Sequence, residues 1–334
     1  MAIDNIRLEV MQLLEKKVES FIDKFLIPID KVWQPTDFLP DSQNEDTFFD
    51  EVKELRELAK ELPYDFWVVL VGDTITEEAL PTYESWLMDV EGINQHEGEG
   101  GNGWSKWVRY WTSEENRHGD VLNKYLYLSG RVNMIEIERT TQYLISDGFD
   151  IGTDRDPYKN FVYTSFQELA TNISHNRVAK LARQYSNKSL GKMCKIIAGD
   201  EMRHFNAYST FVDEIFKLDP SEMMIAFSDM MKNKIIMPAH FLRETGQAIG
   251  AKFDEFSISA QKIGVYTSQD YIDIMERLII KWDIANINDL NDKAEKARDF
   301  VMKLPARMQR ISERLVLPAE TEKFTWVNPS VVPK

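Results

Sequence analysis

The chain has 334 residues, 43% of them hydrophobic and 28% charged, the composition of a folded globular protein able to bury a large core. A formal charge of -15 argues against a nucleic-acid binder, and the single cysteine, Cys194, excludes an internal disulfide framework and a four-cysteine iron–sulfur or zinc site. The longest strongly apolar run, residues 66–71, is far too short to cross a bilayer, and the opening MAIDNIRLEV reads as neither a signal nor a transit peptide.

Residues 6–26 carry apolar side chains at three-and-four spacing and predict an amphipathic helix closed by Pro28. WQPTDFLPDS, 33–42, is a connector with two prolines that Trp33 could anchor. Helical spacing resumes over 49–62, up to Pro63. A single helix is expected over 65–90, so apolar in its first turns that it belongs at the centre of a bundle, and Glu77 lies in it. Gly-rich, acidic 91–103 reads as a surface loop. Helices follow over 104–129, 133–146, 158–185, 190–218 and 221–244, punctuated by Gly148, Gly152, Pro157 and Pro220. Shorter helices are expected over 268–282 and 288–301, then a tail with Pro318 and Pro329 that reads as extended. No alternating-strand pattern runs over any length, so the fold class is all-α.

The chemistry lies in a repeated pair. Glu115-Asn116-Arg117-His118 returns as Glu201-Met202-Arg203-His204, and each spacing puts carboxylate and imidazole on one helix face, a turn apart. A helical Glu precedes each pair: Glu77 leads Glu115 by 38 positions and Glu168 leads Glu201 by 33. Two such helix pairs packed face to face make a four-helix bundle, and two single Glu plus two Glu-x-x-His form the ligand set of a di-iron or di-manganese carboxylate centre. Bridging carboxylates offset four positive charges and set the metal spacing. One Glu-x-x-His alone is ordinarily a solvated pair; four such helices together are not.

Oxygen and nitrogen donors without thiolate suit iron or manganese, and open positions make iron the oxygen-activating choice. Thr171, three residues after Glu168, could face the metals or bond its own backbone, and Asp200 could hold His118 by its second nitrogen. Trp33, Trp111, Met230 and Met231 read as packing. With neither a G-x-G-x-x-G nor a Walker loop, the chain predicts no nicotinamide, flavin or ATP, so electrons for oxygen activation would come from another protein.

At ITEEALPTY (75–83), WTSEENRHGDVLNKYLYLSGRV (111–132), YTSFQELAT (163–171), GDEMRH (199–204) and FSDMMKNKIIMPAH (227–240), the sequence resembles the soluble plant acyl-acyl-carrier-protein desaturases, from about Trp33 to the tail. The resemblance implies one domain over 1–334: an N-terminal helix to 32, a connector over 33–46, a ferritin-like di-iron bundle core over 47–245 and C-terminal helices and tail over 246–334. It implies an eleven-helix subunit of a homodimer in the plastid stroma, with any transit peptide absent from this chain, two Fe2+ per subunit, an acyl-carrier-protein substrate and reduced ferredoxin as electron donor. Glu77, Glu115, His118, Glu168, Glu201 and His204 match the iron ligands by motif. Thr171 matches the threonine beside the oxygen site, and Trp33, His118 and Asp200 match the electron route. The implied reaction places a cis double bond between neighbouring methylenes of a saturated acyl chain, using one O2 and two electrons.

The chain departs from the stearoyl, delta-9 pattern at Lys159-Asn160 before Phe161, where the family generally has Leu-Gly. It departs also at Asn172, and at Trp86, Asp89 and Val90 near the expected end of the acyl channel. Asn160 adds bulk and Asp89 polarity, which predicts a variant chain length or double-bond position, such as delta-4 or delta-6 on palmitoyl chains; the alternative is an ordinary stearoyl delta-9 enzyme. Rivals from other classes are a ferritin-like iron store and a radical-generating reductase subunit. Lys232, Lys234 and Arg243 are candidates for a local basic patch that would dock an acidic carrier.

Overall fold

The structure, a computed structural model, describes residues 5–93, 103–318 and 323–327. Glu115 and His118 occupy positions on the buried stripe of a 27-residue helix, and that fact organises the rest. The helix is α5, Gly103–Ser129, and its stripe runs Trp104, Trp107, Trp111, Glu115, His118, Leu122, Tyr125 at three-and-four spacing. The partner stripe lies on α8, Lys188–Leu218, through Leu190, Cys194, Ile197, Glu201, His204, Tyr208, Phe211 and Ile215. Two other helices complete a bundle: α3, Tyr64–Glu78, buried from Phe66 through Gly72, and α7, Pro157–Gln184, buried on most sides. Helix α3 packs on α5 and α7 packs along α8.

Around the bundle lie α1 (Asn5–Phe25), α2 (Glu45–Ala59), α4 (Leu80–Asp89), α6 (Met134–Asp147), α9 (Pro220–Asn233), α10 (Phe253–Lys262), α11 (Ser268–Lys281) and α12 (Asp292–Ser312). That makes twelve α-helices among the described residues, one more than the family pattern implies. The only β-pairing among them is the isolated Val132–Val327 bridge.

Several boundaries differ from the sequence reading. The single helix expected over 65–90 is two, α3 and α4, broken at Ala79. Pro81 sits in the first turn of α4, where its missing N–H is no loss, so the apolar spacing ran on unbroken across a real stop. Glu77 therefore lies in the last turn of a helix. The helix expected over 221–244 stops at Asn233, because Lys234 adopts φ 62 and Met237 is extended before Pro238. Helix α12 starts later than 288, where Asn291 caps the N–H groups of Lys293 and Ala294, and continues through Pro305 to Ser312. Helix α10, a short segment rich in Ser and Phe, was not read at all. The tail is anchored: Phe324 and Trp326 are buried, their rings 4.2 Å apart, and Trp326 Nε1 donates to Thr140 Oγ1. The loop expected over 91–103 falls, over 94–102, outside the described residues, as does Pro329.

One glycine is needed where two ligand helices meet. A Cβ on Gly119 would lie 3.1 Å from Glu78 N and 3.2 Å from Glu77 C, so only glycine lets α5 pass this close to the end of α3. His118 and Glu77 are brought together by that contact.

Candidate metal centre

Six side chains from four helices converge in two overlapping groups. Glu77, Glu115, His118 and Glu201 form one, Glu115, Glu168, Glu201 and His204 the other, and within each group the ligand atoms lie within 4.8 Å of one another. Glu115 and Glu201 belong to both. His118 Nδ1 lies 3.0 Å from Glu115 Oε2, 3.3 Å from Glu201 Oε1 and 3.7 Å from Glu77 Oε2. On the other side His204 Nδ1 lies 2.6 Å from Glu115 Oε1 and 3.6 Å from Glu168 Oε2. One oxygen of Glu115 thus faces each histidine, as a carboxylate bridging two cations requires.

The donor set fits two divalent metals. Glu115 Oε1, His118 Nδ1 and His204 Nδ1 are buried without a hydrogen-bond partner despite those short separations. Buried polar atoms rarely stay unpaired, and these three converge on the space between the residues, where a cation would satisfy them. With nitrogen and oxygen ligands and no thiolate, iron or manganese is the chemistry indicated.

The remote nitrogens are held in near two-fold fashion. His118 Nε2 lies 3.3 Å from Asp200 Oδ2, and His204 Nε2 lies 3.0 Å from Glu114 Oε2. Arg203 Nη2 donates to both carboxylates, at 2.6 Å to Asp200 and 2.8 Å to Glu114, while Arg117 Nη2 donates to Asp200 at 3.1 Å. The segment after α1 is tied to this layer at both ends. Ile27 N donates to Glu114 Oε1 at 2.6 Å and Arg203 Nη1 to Phe25 O at 2.8 Å. Trp33 Nε1 donates to Asp200 at 2.8 Å, and Arg117, stacked 4.5 Å from the Trp33 ring, donates to its carbonyl.

The three remaining carboxylates have one donor apiece. Trp111 Nε1 donates to Glu168 Oε1 at 3.0 Å, Thr171 Oγ1 to Glu201 Oε2 at 2.8 Å, and His175 Nε2 lies 2.8 Å from Glu77 Oε1. Trp33 and Trp111, read from spacing as packing, are buried but also bond through their indoles. Sequence reasoning missed Glu114, Arg117, Arg203 and His175.

Electrostatics follow from crowding. Burial would lower the His118 and His204 pKa values, but Glu115 beside both outweighs it and raises each well above the usual range. Burial, then Glu201 and Glu115, push Glu168 well up. Burial also opposes ionisation of Glu77 and Glu114, yet the imidazoles of His118 and His175 beside the first, and His204 and Arg203 bonded to the second, bring both down to about 2.

A cavity beside the ligands is lined by Leu80, Tyr83, Trp111, Gln167 and Thr171 among others. None of the six expected channel residues lines it. Trp86 rests edge-on against Tyr163, 5.5 Å between centroids, and its Nε1 donates to Thr153 Oγ1. Val90 and Phe161 are buried, and Asn160 is 0% exposed with neither amide atom bonded. Asn172 instead donates to Ala198 O, joining α7 to α8. The Asp89 carboxylate, 63% exposed, pairs with Arg155 at 2.9 Å where α4 ends and the side chain turns to solvent.

Comparison with known proteins adds independent findings. The model of the fatty acid desaturase family matches residues 6–328. The chain is 50% identical over 325 residues to stearoyl-[acyl-carrier-protein] 9-desaturase 5, chloroplastic, of Arabidopsis thaliana, covering 96% of this chain and 81% of that one. It is 48% identical over 325 residues, with the same coverage, to stearoyl-[acyl-carrier-protein] 9-desaturase, chloroplastic, of Gossypium hirsutum. Among solved structures, DesA2 of Mycobacterium tuberculosis H37Rv superposes with a TM-score of 0.52 at 16% identity, over 86% of this chain and 99% of that one, a likeness of fold.

Proposed function

The chain belongs to the fatty acid desaturase family, and from that membership we propose that it is an acyl-[acyl-carrier-protein] desaturase, an oxidoreductase that introduces a cis double bond into a saturated acyl chain. The observation that carries this reading is the pair of ligand groups sharing Glu115 and Glu201. Glu77, Glu115 and His118 would hold one iron, Glu168, Glu115 and His204 the other, with Glu201 between them. Two iron ions bound there would supply the activation of O2 that an unactivated C–H bond demands.

What the chain itself contributes is placement and charge. Four ionised carboxylates would balance two divalent cations in a largely buried site, where each charge counts for more than in solvent. Asp200 and Glu114 fix the imidazole tautomers so that both Nδ1 atoms face inward. Thr171, at the cavity and bonded to Glu201, keeps that carboxylate turned toward the centre. The acyl chain would lie along the apolar side of the cavity, and its depth would decide which carbons meet the metals.

The reaction consumes one O2, two electrons and two protons and yields two waters with the alkene. Reduced ferredoxin is the proposed electron donor, entering at Trp33 toward Asp200 and His118. The homodimer and the plastid stroma are part of the same proposal; the names of the relatives put those proteins in chloroplasts, and among the described residues no helix is long and apolar enough to cross a membrane. Of the three basic residues considered for carrier docking, Arg243 is bound to Asp147 and Lys232 to Asp229.

The finer reading is a variant specificity. Asn160 places an amide in a buried position beside Phe161, and Trp86 stands against Tyr163 on the expected channel path. Incubation with palmitoyl and stearoyl carrier protein, reduced ferredoxin and O2, followed by gas chromatography–mass spectrometry of derivatised products, tests both levels. Absence of any alkene overturns the desaturase, whereas a delta-9 product from stearoyl substrate alone overturns only the variant.

A further inference from the structure

The two single-glutamate ligands are supported by different donors on different helices. Glu168 takes the Trp111 indole of α5, and Glu77 takes the His175 imidazole of α7. His175 is 1% exposed and lies seven residues after Glu168 on the same helix, with Cys194 of α8 against its ring. From there it spans to the last turn of α3.

We propose that His175 is the positioning residue for Glu77, and that it fixes one metal position independently of the other; this rests on the two-metal reading above. Glu77 needs such a support more than its counterparts do. It lies in the last turn of α3, where the helix dipole is unfavourable to a carboxylate, and Asp73 stands one turn before it. Its other oxygen is 3.7 Å from His118 Nδ1, so a donor that takes Oε1 leaves Oε2 facing the metal position. Asp73 does not compete for the imidazole's N–H, because Ser174 Oγ donates to it at 3.0 Å. The ring of His175 is enclosed by three helices and cannot swing away, which turns one hydrogen bond into a fixed carboxylate angle.

The test uses the full chain carrying His175→Phe, His175→Gln, His175→Asn or Trp111→Phe, reconstituted anaerobically with ferrous iron. Iron per subunit and the Mössbauer spectrum of enriched iron are read, apart from any turnover. For His175→Phe, loss of the donor should weaken one metal about 10–100-fold, taking iron from about two toward about one per subunit at limiting iron while one spectral component stays as in wild type. Gln should restore the second iron, Asn should restore less, and Trp111→Phe should alter the other component. Should circular dichroism find His175→Phe unfolded, Gln against Asn carries the comparison. A His175→Phe protein with wild-type iron affinity and spectrum overturns the proposal, as does loss of both irons together with Gln no better than Asn. If the wild-type chain itself takes up no iron, the two-metal reading falls instead.

Discussion

Glu114 Oε2 lies 3.0 Å from Nε2 of His204, the counterpart across the centre of the 3.3 Å contact between Asp200 Oδ2 and Nε2 of His118. Each inward-facing histidine is therefore oriented by the residue that immediately precedes the other helix's clustered glutamate, Glu115 or Glu201. Glu114 also accepts from Ile27 N and Arg203, so it binds the end of α1 to the centre.

Replacing Glu114 with Ala leaves the Arg203 guanidinium and the Ile27 N–H without their shared acceptor and frees the His204 ring. Breaking a buried pair from one side costs about 3 kcal/mol, read as a lower urea midpoint for the metal-free protein. Iron affinity should fall about 10–100-fold through the lost orientation of His204. Unchanged iron affinity would show that the His204 ring is held without Glu114.

This outer layer was legible in the sequence, in a pattern wider than the one first extracted. Residues 114–118 read EENRH and 200–204 read DEMRH, so an acid, a glutamate and an arginine recur at the same offsets before each histidine. The repeat contains Glu114, Asp200, Arg117 and Arg203 as well as the ligands. His175 carried a weaker signal, sharing a face of α7 with Glu168 and Thr171, but its partner Glu77 lies 98 positions away on another helix and only packing joins them. The pairing of Asp89 was hidden for a similar reason: its partner Arg155 arrives from a separate loop. The helix break at Ala79 was hidden because a proline in a first turn leaves hydrophobic spacing intact.

Loading the centre should release protons. Burial opposes protonation of His118 and His204, but Glu115 beside both raises each pKa well above the usual range, and burial with Glu201 and Glu115 near raises that of Glu168, so protons should leave as metal enters. Anaerobic titration with ferrous iron in weak buffer, followed by a pH indicator, measures the count. Release of no protons would place neutral imidazoles in the metal-free site.

The same shifts set the pH of greatest stability for the metal-free chain. The histidines' folded values are raised, so their contribution is fully present below 6.5 and is lost as pH rises through the folded values. Glu77 and Glu114 are lowered to about 2 from 4.5, so their contribution is present above 4.5 and is lost as pH falls toward the folded value. The melting temperature should peak between those limits, in mildly acid buffer, by calorimetry after chelation. A maximum at alkaline pH would contradict the assignment.

Gly119→Ala puts a methyl 3.1–3.2 Å from the backbone of Glu77 and Glu78, atoms that cannot rotate aside. Helix α3 must yield from α5, at a cost of about 1–3 kcal/mol, and Glu77 moves with it. Iron content should fall with stability, more at the position shared with His118 than at the other. A variant with full iron and an unchanged melting curve would mean the two helices have slack at this crossing.

Asn160 gives the sharpest test of chain-length choice, because two variants should differ in the sign of their stability effect and only one of them should change specificity. Its amide is wholly enclosed and neither polar atom is bonded, so Asn160→Leu, with the same branching and number of side-chain heavy atoms and without the unsatisfied groups, should be neutral or stabilising where the neighbours yield to its larger methyls. Asn160→Gly removes the side chain, opens a cavity in the middle of α7's first turns and should destabilise. If this residue limits how deep an acyl chain reaches, the Gly variant should move kcat/KM toward the longer of palmitoyl and stearoyl substrates by about 10–200-fold, the range open to one or two methylenes in an apolar pocket. The Leu variant, which keeps the bulk, should retain the wild-type preference. Equal substrate ratios in wild type, Leu and Gly would remove Asn160 from the acyl path, leaving Trp86 as the channel-end candidate on that path.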